Sequence, residues 1–245
     1  MKRLLKKIMY HGREHYCNVC CTHVRTWIHV GLESEVFNNH NMLGAGWRKQ
    51  GCPVCHCSDR DRLMLEFFQS YFLSQPGIQH QSVLHIAPEK YVTDCIQKQI
   101  GRYVKGDAFE EGYRYDSETQ RMDIQAIPFE QETFDTVIAN HVLEHVADDV
   151  QALQEIRRVL KPNGHAILQV PMALDLNSTI EVDAHLPLKD RVAVTGQYDH
   201  LRLYGIDFFE KLTQMGFTLN LWKSNRDASL YGFNPEEKII WVQKK

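Results

Sequence analysis

Apolar positions recur along this chain in two rhythms, and the rhythm changes near residue 76. Before that point, "SDRDRLMLEFFQSYFL" sets Leu63, Phe67 and Tyr71, with Met64, Phe68 and Phe72, at helical spacing. Ser58 and Asp61 have the form of a capping box at its start. The pattern predicts a helix whose aromatic stripe is core. "SQPGIQHQ" then breaks it with Pro76 and Gly77, dividing a small unit, 1–75, from a larger one, 76–245.

From Gln81 onward the rhythm alternates between strand and helix. "SVLHIA", "RYVKGD", "FDTVIAN" and "HAILQVP" read as buried strands. Val92, Cys95, Ile96 and Ile100 mark one helical face; Val150, Leu153, Ile156 and Leu160 mark another, stopped by "KPNG". Asp207 and Glu210 suggest a second capping box, and Gly216 ends that helix. "FTLNLW" and "KIIWVQ" follow as an antiparallel pair at the end of the sheet. Strands alternating with helices imply an α/β fold, a mostly parallel sheet covered on both faces.

Composition narrows this picture only slightly. Apolar residues at 43% and charged residues at 24% are ordinary for a globular chain, and no apolar run nears the ~18 residues of a membrane span. The basic start "MKRLLKKIMYHGR" lacks the apolar core of a secretory signal, so a cytoplasmic location is expected. It reads as a solvated, partly frayed terminus. A net charge of -3 gives no general attraction to polyanions.

The seven cysteines are more informative. Cys17 and Cys20 form "CNVC", Cys52 and Cys55 form "CPVC", and 31 residues separate the pairs. Two such knuckles suit a tetrahedral four-cysteine zinc site, resembling a zinc ribbon, because each turn aims two thiolates at one ion. With four protein ligands the metal would be structural. Cys21 or Cys57 could replace a neighbour, and free buried cysteines or a redox pair are the competing readings.

In open α/β sheets, ligands bind beyond the carboxyl ends of the strands. Those positions hold His85 to Glu89, Asp107, and Asn140 with His141. Asp107 lies 18 residues after Glu89, close to where an acidic side chain accepts ribose hydroxyls, so a nucleoside-bearing cofactor is expected.

The stretch "RMDIQAIPFEQETFDTVIANHVLEHVADDVQALQEIRRVLKPNGHAILQVP" resembles the class I S-adenosylmethionine-dependent methyltransferases, the type 11-like group in particular. The resemblance covers about 83 to 220 and implies a Rossmann-like, seven-stranded sheet. It further implies that His85, Ile86, Ala87, Pro88 and Glu89 lie along the methionine part of the cofactor, and that Asp107 holds its ribose. Asp123 and Ile124 would flank the adenine; Asn140 and His141 would follow the strand that ends beside the transferable methyl. His145 reads as an internally satisfied histidine. The departure is the opening loop, where "HIAPEK" has no glycine. Pro88 suits a first helical position, and the N–H groups that follow could face the cofactor carboxylate.

A sulfonium methyl is already electrophilic, so transfer depends on proximity and orientation, with a base needed only for a protonated acceptor. His141, His185 and His200 are candidates. In "YDHLRLYG", Asp199 could orient His200, while Arg202 and Tyr204 could contact the acceptor. Asp175 to Tyr198 lacks clean periodicity and is expected to form an acceptor lid, with Arg191 as another anion contact. The expected reaction is methyl transfer to a small-molecule or sugar-type acceptor, O-directed if a histidine is the base. A nucleic-acid methyltransferase gripping its substrate through the zinc module is less favoured by the acidic charge, and a non-catalytic binding protein is the third possibility.

Overall fold

The buried runs of the larger unit assemble into one seven-stranded sheet, seen in a computed structural model that describes residues 2–109 and 114–245. Its strands are β1 (Ser82–Ile86), β2 (Arg102–Asp107), β3 (Thr119–Arg121), β4 (Phe134–Ala139), β5 (Leu160–Ile167), β6 (Phe217–Trp222) and β7 (Ile239–Lys244). They lie in the order β6-β7-β5-β4-β1-β2-β3. β1 to β5 run parallel, whereas β7 is antiparallel to both β5 and β6. The expected antiparallel pair is therefore present. The short, polar β3, "TQR", has no apolar run to announce it in the sequence.

The strand order reverses between β1 and β4, and this places a crevice at their carboxyl ends. One face is covered by helices Asp149–Val159 and Asp207–Gln214, around Leu84, Val137, Ile156 and Phe208. The other is covered by helices Asp59–Ser70 and Lys90–Ile96, around Phe67, Phe68, Val83 and Ile96. Burial on both faces explains why the central β1 and β4 read as nearly continuous buried runs rather than alternations.

Helix Asp59–Ser70 begins at the expected reciprocal cap: Ser58 accepts from the Asp61 N–H, and Asp61 accepts from the Ser58 N–H. The second expected box does not form. Asp207 accepts instead from the Thr179 N–H and hydroxyl, tying helix Asp207–Gln214 to the preceding loop. Gly216, at φ +82°, ends that helix as expected. Val150 is exposed; Ala152 and Val159 take its place on the buried stripe. The basic start is a helix, Lys2–Met9.

Residues preceding helix Asp59–Ser70 fold over the crevice. Met42–Leu43 pairs antiparallel with Met172–Ala173, and Phe37 packs with Ala173 and Leu203. The Arg48 guanidinium is held by the buried Asp59 carboxylate, and Arg60 donates to the Gly44 carbonyl at 2.6 Å. A wall of the crevice is thus built from the N-terminal unit.

Candidate functional site

The turn after β1 puts Ala87 in the left-handed region, φ +48°, where its N–H donates to the Gly106 carbonyl at 2.8 Å. That conformation favours glycine, and a side chain there costs about 1–2 kcal/mol. The glycine-free loop therefore keeps a glycine-like backbone at a cost in strain. Ala87, Pro88 and Asp107 line a cavity of about 450 Å³ at the carboxyl ends of β1 and β2, with Lys105, Tyr115 and Thr119. Asp107 Oδ1 accepts from the Phe109 N–H at 2.9 Å.

His85 and Ile86 do not reach that cavity. Ile86 is core, and His85 is fully buried, with Nδ1 at 2.5 Å from the Tyr103 hydroxyl and Nε2 at 2.6 Å from Glu89 Oε2. The other Glu89 oxygen accepts from Asn140 at 3.0 Å. Burial raises the Glu89 pKa, but His85 and Asn140 outweigh it and hold this carboxyl below its usual range. Glu89 is the hub that joins the ends of β1 and β4. It borders a second cleft of about 120 Å³, together with Arg60, Asn140, His141, Gln169 and Glu237. Of the two residues expected to flank the adenine, Ile124 is core, and Asp123 is exposed and accepts from the Gln125 backbone N–H at 2.8 Å.

A third hollow, about 220 Å³, lies under the N-terminal wall and is bordered by Arg60, His141, Glu144, His145, Gln197 and His200. His141 adopts φ +55°, with its N–H on the Gln169 carbonyl at 2.7 Å. Its Nδ1 is 3.4 Å from Glu144 Oε1 without hydrogen-bond geometry. His145 Nδ1 is 3.1 Å from the Asp199 carbonyl and 3.5 Å from its carboxylate. Asp199 therefore orients His145 rather than His200, and His145, hydrogen-bonded within the protein, also borders the hollow. His145 and His200 meet edge to face at 4.9 Å. Burial pushes the His200 pKa down to about 4, with His145 adding to the effect. Burial, with Arg60, also lowers that of His141. Glu144 is 1% exposed; burial opposes ionisation, but His141, His145 and His200 hold its pKa below the usual range.

Other expected acceptor contacts are spent internally. Arg202 is buried, donates to the Val146 and Ala147 carbonyls at 2.5 and 2.7 Å, and pairs with Glu181. The buried Tyr204 hydroxyl donates to Asp149 at 2.7 Å. Arg191 donates to the Ala184 and Leu186 carbonyls within its own loop, and His185 is exposed. The expected lid contains helix Leu188–Thr195 and strand Ile180–Glu181, which pairs with Arg202–Leu203. Sequence reasoning gave no role to Arg60 or Gln169. It also missed Glu237, whose pKa burial pushes up to about 7, with the nearby Asp59 charge adding to the effect.

In the N-terminal unit, Cys17, Cys20, Cys52 and Cys55 bring their sulfurs within 4.8 Å of one another. Cys17–Cys55 and Cys20–Cys52 are each 3.7 Å apart, close to the ~3.8 Å separation implied by a tetrahedral ion with ~2.3 Å bonds. Cys21 and His56, each following a knuckle's second cysteine, have positive φ and complete the turns. Cys21 points to the Asn18 carbonyl, outside the cluster. Cys57 sits 3.4 Å from Cys17 and also contacts Arg62.

Residues 76–168 match the family model described as a methyltransferase domain, so this part of the chain carries such a domain. Over 54 residues, 22% of this chain, it is 43% identical to an uncharacterized 37.1 kDa protein of transposon TN4556 from Streptomyces fradiae. It is 32% identical over 81 residues, 30% of this chain, to the mitochondrial arginine-hydroxylase NDUFAF5 of Homo sapiens. The chain spans 16% and 24% of the lengths of these curated relatives. Among solved structures, an S-adenosylmethionine dependent methyltransferase from Mesorhizobium loti matches 74% of this chain and 98% of its own, at TM-score 0.50 and 13% identity. That likeness concerns the fold. Among the described residues no helix is long and apolar enough to cross a membrane.

Proposed function

We propose that the chain is an S-adenosylmethionine-dependent methyltransferase acting on a small-molecule or sugar-type oxygen acceptor. The observation that carries the reading is the matched domain at 76–168, together with a cavity whose wall combines Asp107 with the Ala87–Pro88 turn. Among the described residues the second Asp107 carboxylate oxygen has no hydrogen-bond partner and would accept from ribose hydroxyls, and the left-handed Ala87 keeps the backbone close. Asp123 would accept from the adenine amine. Glu89, ionised and fixed by His85 and Asn140, would balance the cofactor's ammonium group. The cofactor supplies an electrophilic methyl. The protein then has to align an acceptor oxygen with it and take up a proton.

His141, in the left-handed turn after β4, borders both the narrow cleft and the histidine-lined hollow. It is our candidate for the proton acceptor, and its depressed pKa keeps it neutral at working pH. His200 would steer the acceptor from the opposite wall, with Asp199 acting through His145. For the four cysteines we propose a structural zinc, supported by the sulfur spacing, and the thiolates it needs fit the reducing cytoplasm. Calorimetric titration with S-adenosylmethionine tests the central reading. No binding at millimolar cofactor by folded protein would refute it.

A further inference from the structure

The hollow beneath the N-terminal wall contains a set of groups that its own hydrogen bonds leave incomplete. Glu144, His145 and His200 each offer one ligand atom, and the three atoms lie within 4.8 Å of one another. Glu144 and His200 are 1% and 3% exposed, yet among the described residues Glu144 Oε2 and His200 Nδ1 have no hydrogen-bond partner. His141 Nδ1, beside them, has none either. Burying polar atoms unpaired costs about 1–3 kcal/mol each, so such a concentration calls for a missing partner.

The third side chain is already oriented for coordination. With its Nδ1 proton donated to the Asp199 carbonyl, His145 turns a bare Nε2 toward Glu144, 3.9 Å from Oε1. A backbone or carboxylate acceptor behind the ring is the usual support of a metal-bound histidine. The geometry points to a divalent transition-metal site formed by Glu144, His145 and His200, separate from the cysteine cluster. Two imidazoles and one carboxylate suit zinc, iron(II) or cobalt(II) better than a hard oxygen-seeking cation. Bonds of about 2.1 Å require sub-ångström closure of the three side chains. Remaining coordination positions would face the hollow, where an acceptor hydroxyl could bind and become more acidic. This assignment rests on the proposed methyltransferase reading and gives the histidine cluster a defined role, as ligands that prepare the acceptor oxygen.

The test is cobalt(II) titration of protein holding a single equivalent of zinc, placed in the cysteine cluster, followed by calorimetry and absorption. The expected result is one further equivalent bound, with weak visible bands and no intense thiolate-to-metal charge transfer. Glu144→Gln and the less buried His145→Ala should each weaken cobalt binding by at least the about 10–100-fold typical of losing an outer-sphere partner. Zinc content should stay unchanged. No extra equivalent, binding only with thiolate charge transfer, or unaltered affinity in a folded variant would each overturn the site. Should Glu144→Gln not fold, His145→Ala alone decides. Separate titration with S-adenosylmethionine distinguishes the two claims: lost cofactor binding refutes the methyltransferase reading, whereas lost cobalt binding alone refutes the metal site.

Discussion

Asp107 gives the sharpest test of how the crevice holds its cofactor. One carboxylate oxygen accepts from the Phe109 N–H at 2.9 Å, so the side chain both shapes the turn after β2 and borders the cavity. Two substitutions separate these roles. Asp107→Asn keeps an oxygen for Phe109 but loses the charge and one acceptor. If a single charge-assisted bond to a ribose hydroxyl disappears, the cost is about 1.5–3 kcal/mol. This corresponds to roughly 10–150-fold weaker binding, at about 1.4 kcal/mol per factor of ten. Asp107→Ala removes both oxygens, so about 3–6 kcal/mol should be lost if two bonds are made. Calorimetric titration with S-adenosylmethionine measures both variants, and circular dichroism checks that each is folded. If both bind within about twofold of the unmodified protein, less than about half a kcal/mol, the ribose assignment is wrong.

Arg62 is fully buried and donates to the carbonyls of Gln50, Tyr231 and Gly232 at 2.7, 2.7 and 2.9 Å, with Trp27 stacked 4.1 Å from its guanidinium. Arg62→Met should cost about 3–5 kcal/mol, because the three carbonyls around its buried side chain each lose their donor at about 1–3 kcal/mol, and lower Tm by roughly 6–20 °C in thermal denaturation; an unchanged Tm would contradict this. Cys17→Ser or Cys52→Ser should abolish bound zinc by elemental analysis, and retained zinc would refute the ligand set. Glu237 has a folded pKa of about 7 against an ordinary value of 4.5, so its contribution to stability is full below about pH 4.5 and is lost as pH rises through about 7. Glu237→Gln should therefore gain up to about 3 kcal/mol on the parent between about pH 5 and pH 8, read as Tm at both values, and an equal difference at both would exclude the buried carboxyl as the cause.

Much of the architecture follows from local pattern. Buried, mostly apolar runs made β1, β4, the centre of β2 and the second half of β5 legible, as was the Ser58–Asp61 cap, because these signals lie within a few residues; Leu160 and the following "KPNG", expected to close a helix, instead open β5. The cysteine knuckles were equally plain. Sequence spacing also located the crevice through Asp107, Asn140 and His141, since strand ends follow directly from strand positions.

Side-chain partners depended on chain folding over long distances. Asp207 serves Thr179 rather than its own helix, Asp199 serves His145 rather than His200, and Arg202 serves carbonyls at 143–147. Each is a contact across many residues, invisible to periodicity. The left-handed Ala87 could not be anticipated either: an alanine takes φ +48° only when the surrounding structure holds it there, here through the Gly106 carbonyl. Sequence alone thus determined the sheet, the cysteine knuckles and the strand ends that line the crevice. Tertiary structure decided which charges face it, because burial and pairing are set where distant segments meet; that is how Glu144, His145 and His200 come within 4.8 Å of one another beneath the N-terminal wall.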